Sequence, residues 1–194
     1  MNKNTTLLLV HGFASSPLSM HFGKRFFEKQ GWENVKTFSY FAQTGSIAEH
    51  AKRLDDYIAD ISGTSGNVVV IGWSMGGIIA AYQSAYGKHQ KPVSKLVTIS
   101  SPFGGSHIAN AAKFLGPFAG YSGAQMKGDS QTLNKLQNPA HCPNLCVGGG
   151  LDVVVRPHNA KRPGSEFRLF PAADHFSILV FPSVWRYVAK WIAE

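Results

Sequence analysis

Ser74 is the residue whose surroundings in the sequence best suit a nucleophile. It is the central residue of GWSMG, which fits the pattern G-x-S-x-G. Apolar β-formers precede the motif and helix-forming residues follow it, which predicts a strand, a tight turn and a helix. Such a turn strains the serine backbone, so Gly72 and Gly76 make room for it, and Gly77 lets the helix pack closely. Because the pattern also occurs by chance, the prediction depends on the partners that a reactive serine needs.

A serine hydroxyl requires a base before it can attack a substrate. Among the eight histidines, His175 is preferred because it follows the last predicted strand, near the C-terminus, among the small residues of AADHF. His107 and His158 are weaker rivals. His11 follows the first predicted strand, and we expect it to brace the loop that comes next.

The base in turn needs a carboxylate, which holds its tautomer and stabilises the imidazolium. Asp152 is favoured because it lies directly beyond the fifth predicted strand. Asp174 is adjacent to His175, and neighbouring side chains on an extended segment diverge. Asp129 falls in an irregular region. The resulting order of serine, aspartate and histidine is the one expected for a strand–turn–helix nucleophile.

Acyl transfer also needs two backbone donors for the negative oxygen of the tetrahedral intermediate. The Met75 N–H follows the nucleophile, and the Phe13 N–H is the natural second donor, with Gly12 allowing a close approach. Aromatic residues that could line an apolar substrate pocket are Phe13, Phe41, Phe103, Phe114, Phe118 and Phe176. Phe13, Phe103 and Phe176 are the preferred ones, although a place in the core explains most of the six equally well. Trp73 either packs beneath the turn or shapes that pocket.

The elements that must position these residues follow an alternating pattern. Short apolar runs alternate with longer helical ones, which predicts an α/β fold with a mostly parallel sheet and helices on both faces. The predicted strands cover residues 6–10, 35–39, 67–71, 95–99, 144–147 and 166–170. Ser46 and Glu49 form a capping-box pattern for the second helix, and the last helix starts at Pro182. The candidate residues therefore share the carboxyl edge of the sheet, where ligands bind in such folds.

Length and composition predict a single domain over residues 1–194, with a partly helical excursion at about 104–139. The net charge is +8, but the basic residues are scattered, which argues against nucleic-acid binding. Neither G-x-G-x-x-G nor G-K-[ST] occurs, which argues against a doubly wound nucleotide binder.

The apolar runs are too short for a signal peptide or a membrane span. They therefore predict a cytoplasmic protein without stable membrane insertion. The two cysteines are expected to be reduced, and no metal or cofactor is implied.

These segments together resemble the α/β-hydrolase family of serine esterases and lipases. LLLVHGF resembles its oxyanion loop, GWSMGG its nucleophile turn, GGGLDVVVRP its acid-bearing loop and DHFSIL its histidine loop. TISSPFGGSHIA is similar to a segment of bacterial triacylglycerol lipases, except that Phe103 stands where those proteins usually have histidine. The length is similar to that of minimal lipases without a full lid. The larger family begins with two further strands, so the resemblance implies a pared-down, six-stranded α/β-hydrolase sheet.

The resulting hypothesis is a serine hydrolase that cleaves small-molecule or lipid carboxylic esters through an acyl-enzyme. A thioesterase, amidase or acyltransferase with the same triad is the alternative within enzymes. A ligand-binding protein that keeps the fold without catalysis is the alternative from another class. The complete set of nucleophile, base, acid and oxyanion donors argues against that second alternative, because a retired site has no need of all of them. The oligomeric state stays open.

Overall fold

The sheet confirms the predicted α/β class. The computed structural model describes residues 5–62, 66–106, 124–128 and 130–194. Within these ranges six strands form one sheet in the order β2-β1-β3-β4-β5-β6, and every neighbouring pair is parallel. The strands are β1 Thr5–Val10, β2 Val35–Phe38, β3 Asn67–Trp73, β4 Val93–Ile99, β5 Asn144–Gly149 and β6 Glu166–Phe170. Each of them overlaps a predicted strand, and all the carboxyl ends lie along one edge.

Helices cover both faces of this sheet. In the described residues they are α1 His21–Lys29, α2 Ile47–Ser62, α3 Met75–Tyr86, α4 Gln131–Lys135 and α5 Pro182–Ala193, with short 3-10 helices at Pro17–Met20, Pro157–Ala160 and Ser177–Leu179. One apolar cluster joins α2 and α3 to the sheet through residues such as Leu54 and Ile78. A second cluster joins α1 and α5 to the opposite face through Phe27 and Trp185. None of the helices in the described ranges has the length and apolar character that crossing a membrane requires.

The capping box predicted for the second helix is present. The Glu49 amide donates to Ser46 Oγ at 3.1 Å, and the Ser46 amide donates to Glu49 Oε2 at 2.6 Å. These two bonds satisfy backbone donors that the first turn of α2 would otherwise leave unpaired. The start of α2 is therefore set by its own sequence, and this turn lies near the loop that follows β2.

The excursion predicted at 104–139 contains α4, whose first turn is capped by Ser130 Oγ through a 3.2 Å bond from the Leu133 amide. Residues 107–123 and 129 lie outside the described ranges, and with them four of the candidates: His107, Phe114, Phe118 and Asp129. Both cysteines are free, as expected. Cys146 is buried in β5, and Cys142 is half-buried.

Candidate active site

Ser74 occupies a strained turn between β3 and α3. Its backbone has φ 53° and ψ −125°, in the region of positive φ that residues with a side chain rarely adopt. The glycines around it permit the turn. A Cβ on Gly72 would lie 2.5 Å from Gly77 Cα, and a Cβ on Gly76 would overlap the carbonyl oxygens of Val10 and His11. The turn therefore holds Ser74 against the carboxyl end of β1, at the edge of the sheet where the other candidates end.

His175 lies in the loop between β6 and α5 and reaches the serine. Its Nε2 is 3.1 Å from Ser74 Oγ, and its Nδ1 is 2.9 Å from Asp152 Oδ2. An ionised carboxylate only accepts hydrogen bonds, so Nδ1 carries the proton in the neutral ring and Nε2 is left to accept from the serine hydroxyl. This is the tautomer that a general base toward Ser74 requires. All three residues are buried.

Asp152 is held by the backbone that follows it. Its Oδ1 accepts hydrogen bonds from the amides of Val154 at 2.9 Å and Val155 at 2.7 Å, and its side chain is fully buried. The other oxygen is thereby turned toward His175. The two valine amides are partners that the sequence analysis missed, because a backbone donor leaves no residue-type signal. The bonds result from the tight turn that the loop makes after β5.

Asp174, the rival acid, has a different structural role. Its Oδ1 accepts from the amides of Phe176 at 2.8 Å and Ser177 at 2.9 Å at the start of a short 3-10 helix. These backbone hydrogen bonds hold the pKa of Asp174 below its usual range. The carboxylate is exposed and stabilises the loop that carries His175. His158, a rival base, is exposed on the 3-10 helix Pro157–Ala160.

The loop after β1 packs directly against the nucleophile. A Cβ on Gly12 would lie 3.1 Å from Ser74 Cβ and 3.0 Å from Trp73 Cε3, so a side chain here would push these neighbours aside by a few tenths of an ångström. The amides of Phe13 and Met75 donate to no other group among the described residues. Met75 is also the first residue of α3, where the helix dipole favours negative charge.

His11 braces that loop, as its position in the sequence suggested. Its ring is fully buried and stacks on Tyr40 with centroids 4.3 Å apart, and its Nδ1 lies 2.9 Å from the Gly12 carbonyl oxygen. The Tyr40 hydroxyl donates to the His11 carbonyl at 2.8 Å. Burial lowers the pKa of His11 and of His50, whose ring centroid lies 4.8 Å from that of Tyr40. Neutral imidazoles therefore support the backbone just before Phe13.

The three preferred aromatic residues occupy different environments. Phe176 is 66% exposed, and its ring centroid is 5.3 Å from that of His175. Phe13 is half-buried against the core. Phe103 corrects the expectation of substrate contact: it is 1% exposed in the core, where the Arg162 guanidinium lies 5.8 Å from its ring centroid. Phe103 belongs to the same apolar cluster as Leu133 of α4, so its side chain is part of the core.

The fold, the strained serine turn and the arrangement of histidine and aspartate define a class of protein. Residues 7–135 match the model of the alpha/beta hydrolase family, and the chain belongs to that family. This confirms the resemblance noted in the sequence. The chain has no significant match among curated protein sequences.

Solved structures with the same fold include lipases and esterases. Lipase BlEst2 from Bacillus licheniformis, in its mature form, superposes with a TM-score of 0.81 at 15% identity, covering 99% of this chain and 93% of the lipase. A lipase-esterase related protein from Clostridium acetobutylicum gives 0.71 at 16% identity, covering 99% and 94%. Phospholipase PlaB from Legionella pneumophila gives 0.78 at 15% identity, covering 97% of this chain but 58% of the phospholipase. At these identities the likeness establishes the fold.

Proposed function

We propose that this chain is a serine hydrolase that cleaves carboxylic esters through an acyl-enzyme. Ser74 is the nucleophile, and His175 is the general base and then the general acid. Asp152 orients His175 and stabilises its protonated form. The observation that carries the proposal is the continuous line of contacts, 3.1 Å from Ser74 Oγ to His175 Nε2 and 2.9 Å from His175 Nδ1 to Asp152. The lipases and esterases among the structural neighbours support an ester as the substrate.

In the first step, Ser74 Oγ attacks the carbonyl carbon of the ester while its proton passes to His175 Nε2. The carbonyl π electrons move to the oxygen, which becomes an oxyanion. We assign the Phe13 and Met75 amides as the donors to this oxygen, a role supported by the lack of another acceptor for them among the described residues. Asp152 stabilises the imidazolium that forms, because its Oδ2 already accepts from Nδ1.

The second step releases the alcohol. The oxyanion electrons re-form the carbonyl, the bond to the alkoxy oxygen breaks, and that oxygen takes the proton from His175 Nε2. An ester between the substrate acyl group and Ser74 Oγ is left. Water then attacks this ester with His175 as base, and collapse of the second tetrahedral intermediate frees the carboxylic acid and restores the serine hydroxyl.

Apolar surface beside the base suits an acyl or alkyl group. Phe176 exposes two thirds of its side chain next to His175, and Phe13 is half-buried at the start of the oxyanion loop. The proposed substrate is therefore an ester with an apolar group that these rings can cover. Phe103 does not contribute to this pocket, because its side chain is buried in the core.

The test is labelling with a fluorophosphonate probe, which modifies an activated serine. Ser84 provides a matched control, because its Oγ also lies 3.0 Å from a histidine nitrogen, that of His141, but in the middle of α3. We expect wild type and Ser84→Ala to label and Ser74→Ala to lose the label. Label that persists in Ser74→Ala would refute the assignment of the nucleophile.

Substrate class is tested with a chain-length series of p-nitrophenyl esters, measured on wild type and on Ser74→Ala. Turnover by wild type alone supports the ester hydrolase. If Ser74 labels but no ester is hydrolysed, the ester assignment fails, and matched thioester and amide substrates identify the alternative. Absence of both labelling and turnover in the folded wild type would overturn the proposed catalytic function.

A further inference from the structure

We propose that Trp73 is a positioning residue that holds the loops carrying His175 and Phe13 in the correct position relative to Ser74. The inference rests on the proposed function and deepens it, because it names a device on which the triad geometry depends. Trp73 is the last residue of β3 and precedes the nucleophile directly. From its sequence, Trp73 was expected either to pack beneath the nucleophile turn or to shape the substrate pocket. In the structure its indole also contacts the backbone of the histidine loop and of the oxyanion loop.

The first contact is a hydrogen bond to the base residue itself. Trp73 Nε1 donates to the His175 carbonyl oxygen at 3.1 Å, and the indole is 3% exposed. The bond thus ties the backbone of the histidine loop to the strand that carries the serine. The two rings also pack together, with centroids 5.4 Å apart. Trp73 thereby restrains both the main chain and the side chain of His175.

The second contact joins the oxyanion loop to the same indole. A Cβ on Gly12 would lie 3.0 Å from Trp73 Cε3 and 3.1 Å from Cζ3, so the main chain of that loop passes close above the ring. The Phe176 ring meets the indole edge-on with centroids 5.9 Å apart. One buried side chain therefore contacts the nucleophile turn, the oxyanion loop and the histidine loop.

The histidine loop follows a strand with much less support than the strand that carries Ser74, which explains why such a link matters. β3 lies inside the sheet and is buried from Val68 onward, whereas β6 is an edge strand with only half-buried and exposed residues. Anchoring the loop after β6 to β3 transfers the rigidity of the interior strand to His175. A misplacement of catalytic groups by about 1 Å can cost on the order of 100-fold in rate. Loss of the anchor should therefore reduce the chemical step more than substrate binding.

The test compares Trp73→Phe with Trp191→Phe. Trp191 is also buried, and its Nε1 donates to Glu166 Oε1 at 2.8 Å, at the first residue of β6 and outside the histidine loop. At a temperature where both variants are folded, we expect Trp73→Phe to lower kcat by about 10- to 100-fold with KM within about threefold of wild type. The rate of fluorophosphonate labelling should fall by the same factor. In Trp191→Phe both rates should stay within about threefold of wild type.

Single-site replacement of Trp73 by β-(3-benzothienyl)alanine keeps the shape of the ring and removes only the N–H. A fall in kcat that matches Trp73→Phe supports the hydrogen bond as the anchor, and an unchanged kcat overturns it. Equal losses in the Trp73→Phe and Trp191→Phe variants would also overturn the inference while wild type still labels, and so would a raised KM with kcat retained. Failure of wild type itself to label would instead reject the proposed function.

Discussion

Replacing Asp152 with asparagine should nearly abolish turnover while the fold persists, because the local hydrogen bonds determine how the new amide must lie. The amides of Val154 and Val155 donate to Oδ1 at 2.9 and 2.7 Å, and only an oxygen can accept both bonds. The asparagine oxygen therefore stays at this position, and its NH2 group faces His175 Nδ1. That nitrogen must then be the acceptor, so the neutral ring carries its proton on Nε2, which faces Ser74 Oγ.

A histidine in this tautomer cannot remove the serine proton. The expected loss in kcat is on the order of 10⁴-fold, as found where the same change reverses the tautomer of a catalytic histidine. At about 1.4 kcal/mol per tenfold, this is about 5.5 kcal/mol of transition-state stabilisation. Stability should change little, because the variant keeps both backbone hydrogen bonds and the volume of the side chain.

The assay is hydrolysis of a p-nitrophenyl ester, with circular dichroism to verify the fold. Asp174→Asn is the matched control, since Asp174 is one residue from His175 but bonds to the amides of Phe176 and Ser177. Its kcat should stay within about threefold of wild type, because the amide oxygen can still accept both bonds. Near-normal turnover in Asp152→Asn together with an inactive Asp174→Asn would refute the reasoning and reverse the two assignments.

Two further predictions concern stability. Burial lowers the pKa of His50 from 6.5, so below about pH 6.5 the unfolded chain binds the proton first and the free energy of unfolding falls. While the folded His50 ring stays neutral, its share of this loss is about 1.4 kcal/mol per pH unit. Urea titrations should show that share removed in His50→Phe, while the share of the buried His11 remains. Ser46→Ala removes one bond of the capping box at the start of α2 and should lower the free energy of unfolding by about 1 kcal/mol at pH 7, with kcat unchanged.

The controls separate local effects from general damage. An acid slope in His50→Phe equal to that of wild type would contradict the burial argument. For the capping box, Ser15→Ala changes a half-buried serine outside α2 and should cost less than about 0.5 kcal/mol. An equal cost in both serine variants would mean that the Ser46 bond contributes nothing.

Local signals in the sequence were sufficient for the secondary structure. All six described strands overlap predicted ones, and β6 has the predicted bounds, because apolar β-forming runs and turn residues act over short distances. The Ser46–Glu49 capping box was equally predictable, since both partners lie within one helical turn. The alternation of strands and helices also placed the carboxyl ends at one edge, and with them the candidates for the site.

Contacts between segments distant in the chain could not be predicted in this way. Phe103 was expected in the pocket, but packing places it in the core, because an aromatic residue suits either environment equally well. The bond from Trp73 to the His175 carbonyl spans 102 residues and ends on a main-chain atom, which has no sequence signature. The same is true of the amides that orient Asp152.

Sequence alone therefore determined which elements form, where the nucleophile turn lies and which residue types reach the carboxyl edge of the sheet. The tertiary structure decided which acid faces the histidine, which aromatic side chain stays exposed and what holds the loops together. The physical reason is one of range. Propensities, caps and strained turns depend on neighbours within a few residues, whereas hydrogen-bond geometry at 3 Å depends on how strands far apart in the chain pack against one another.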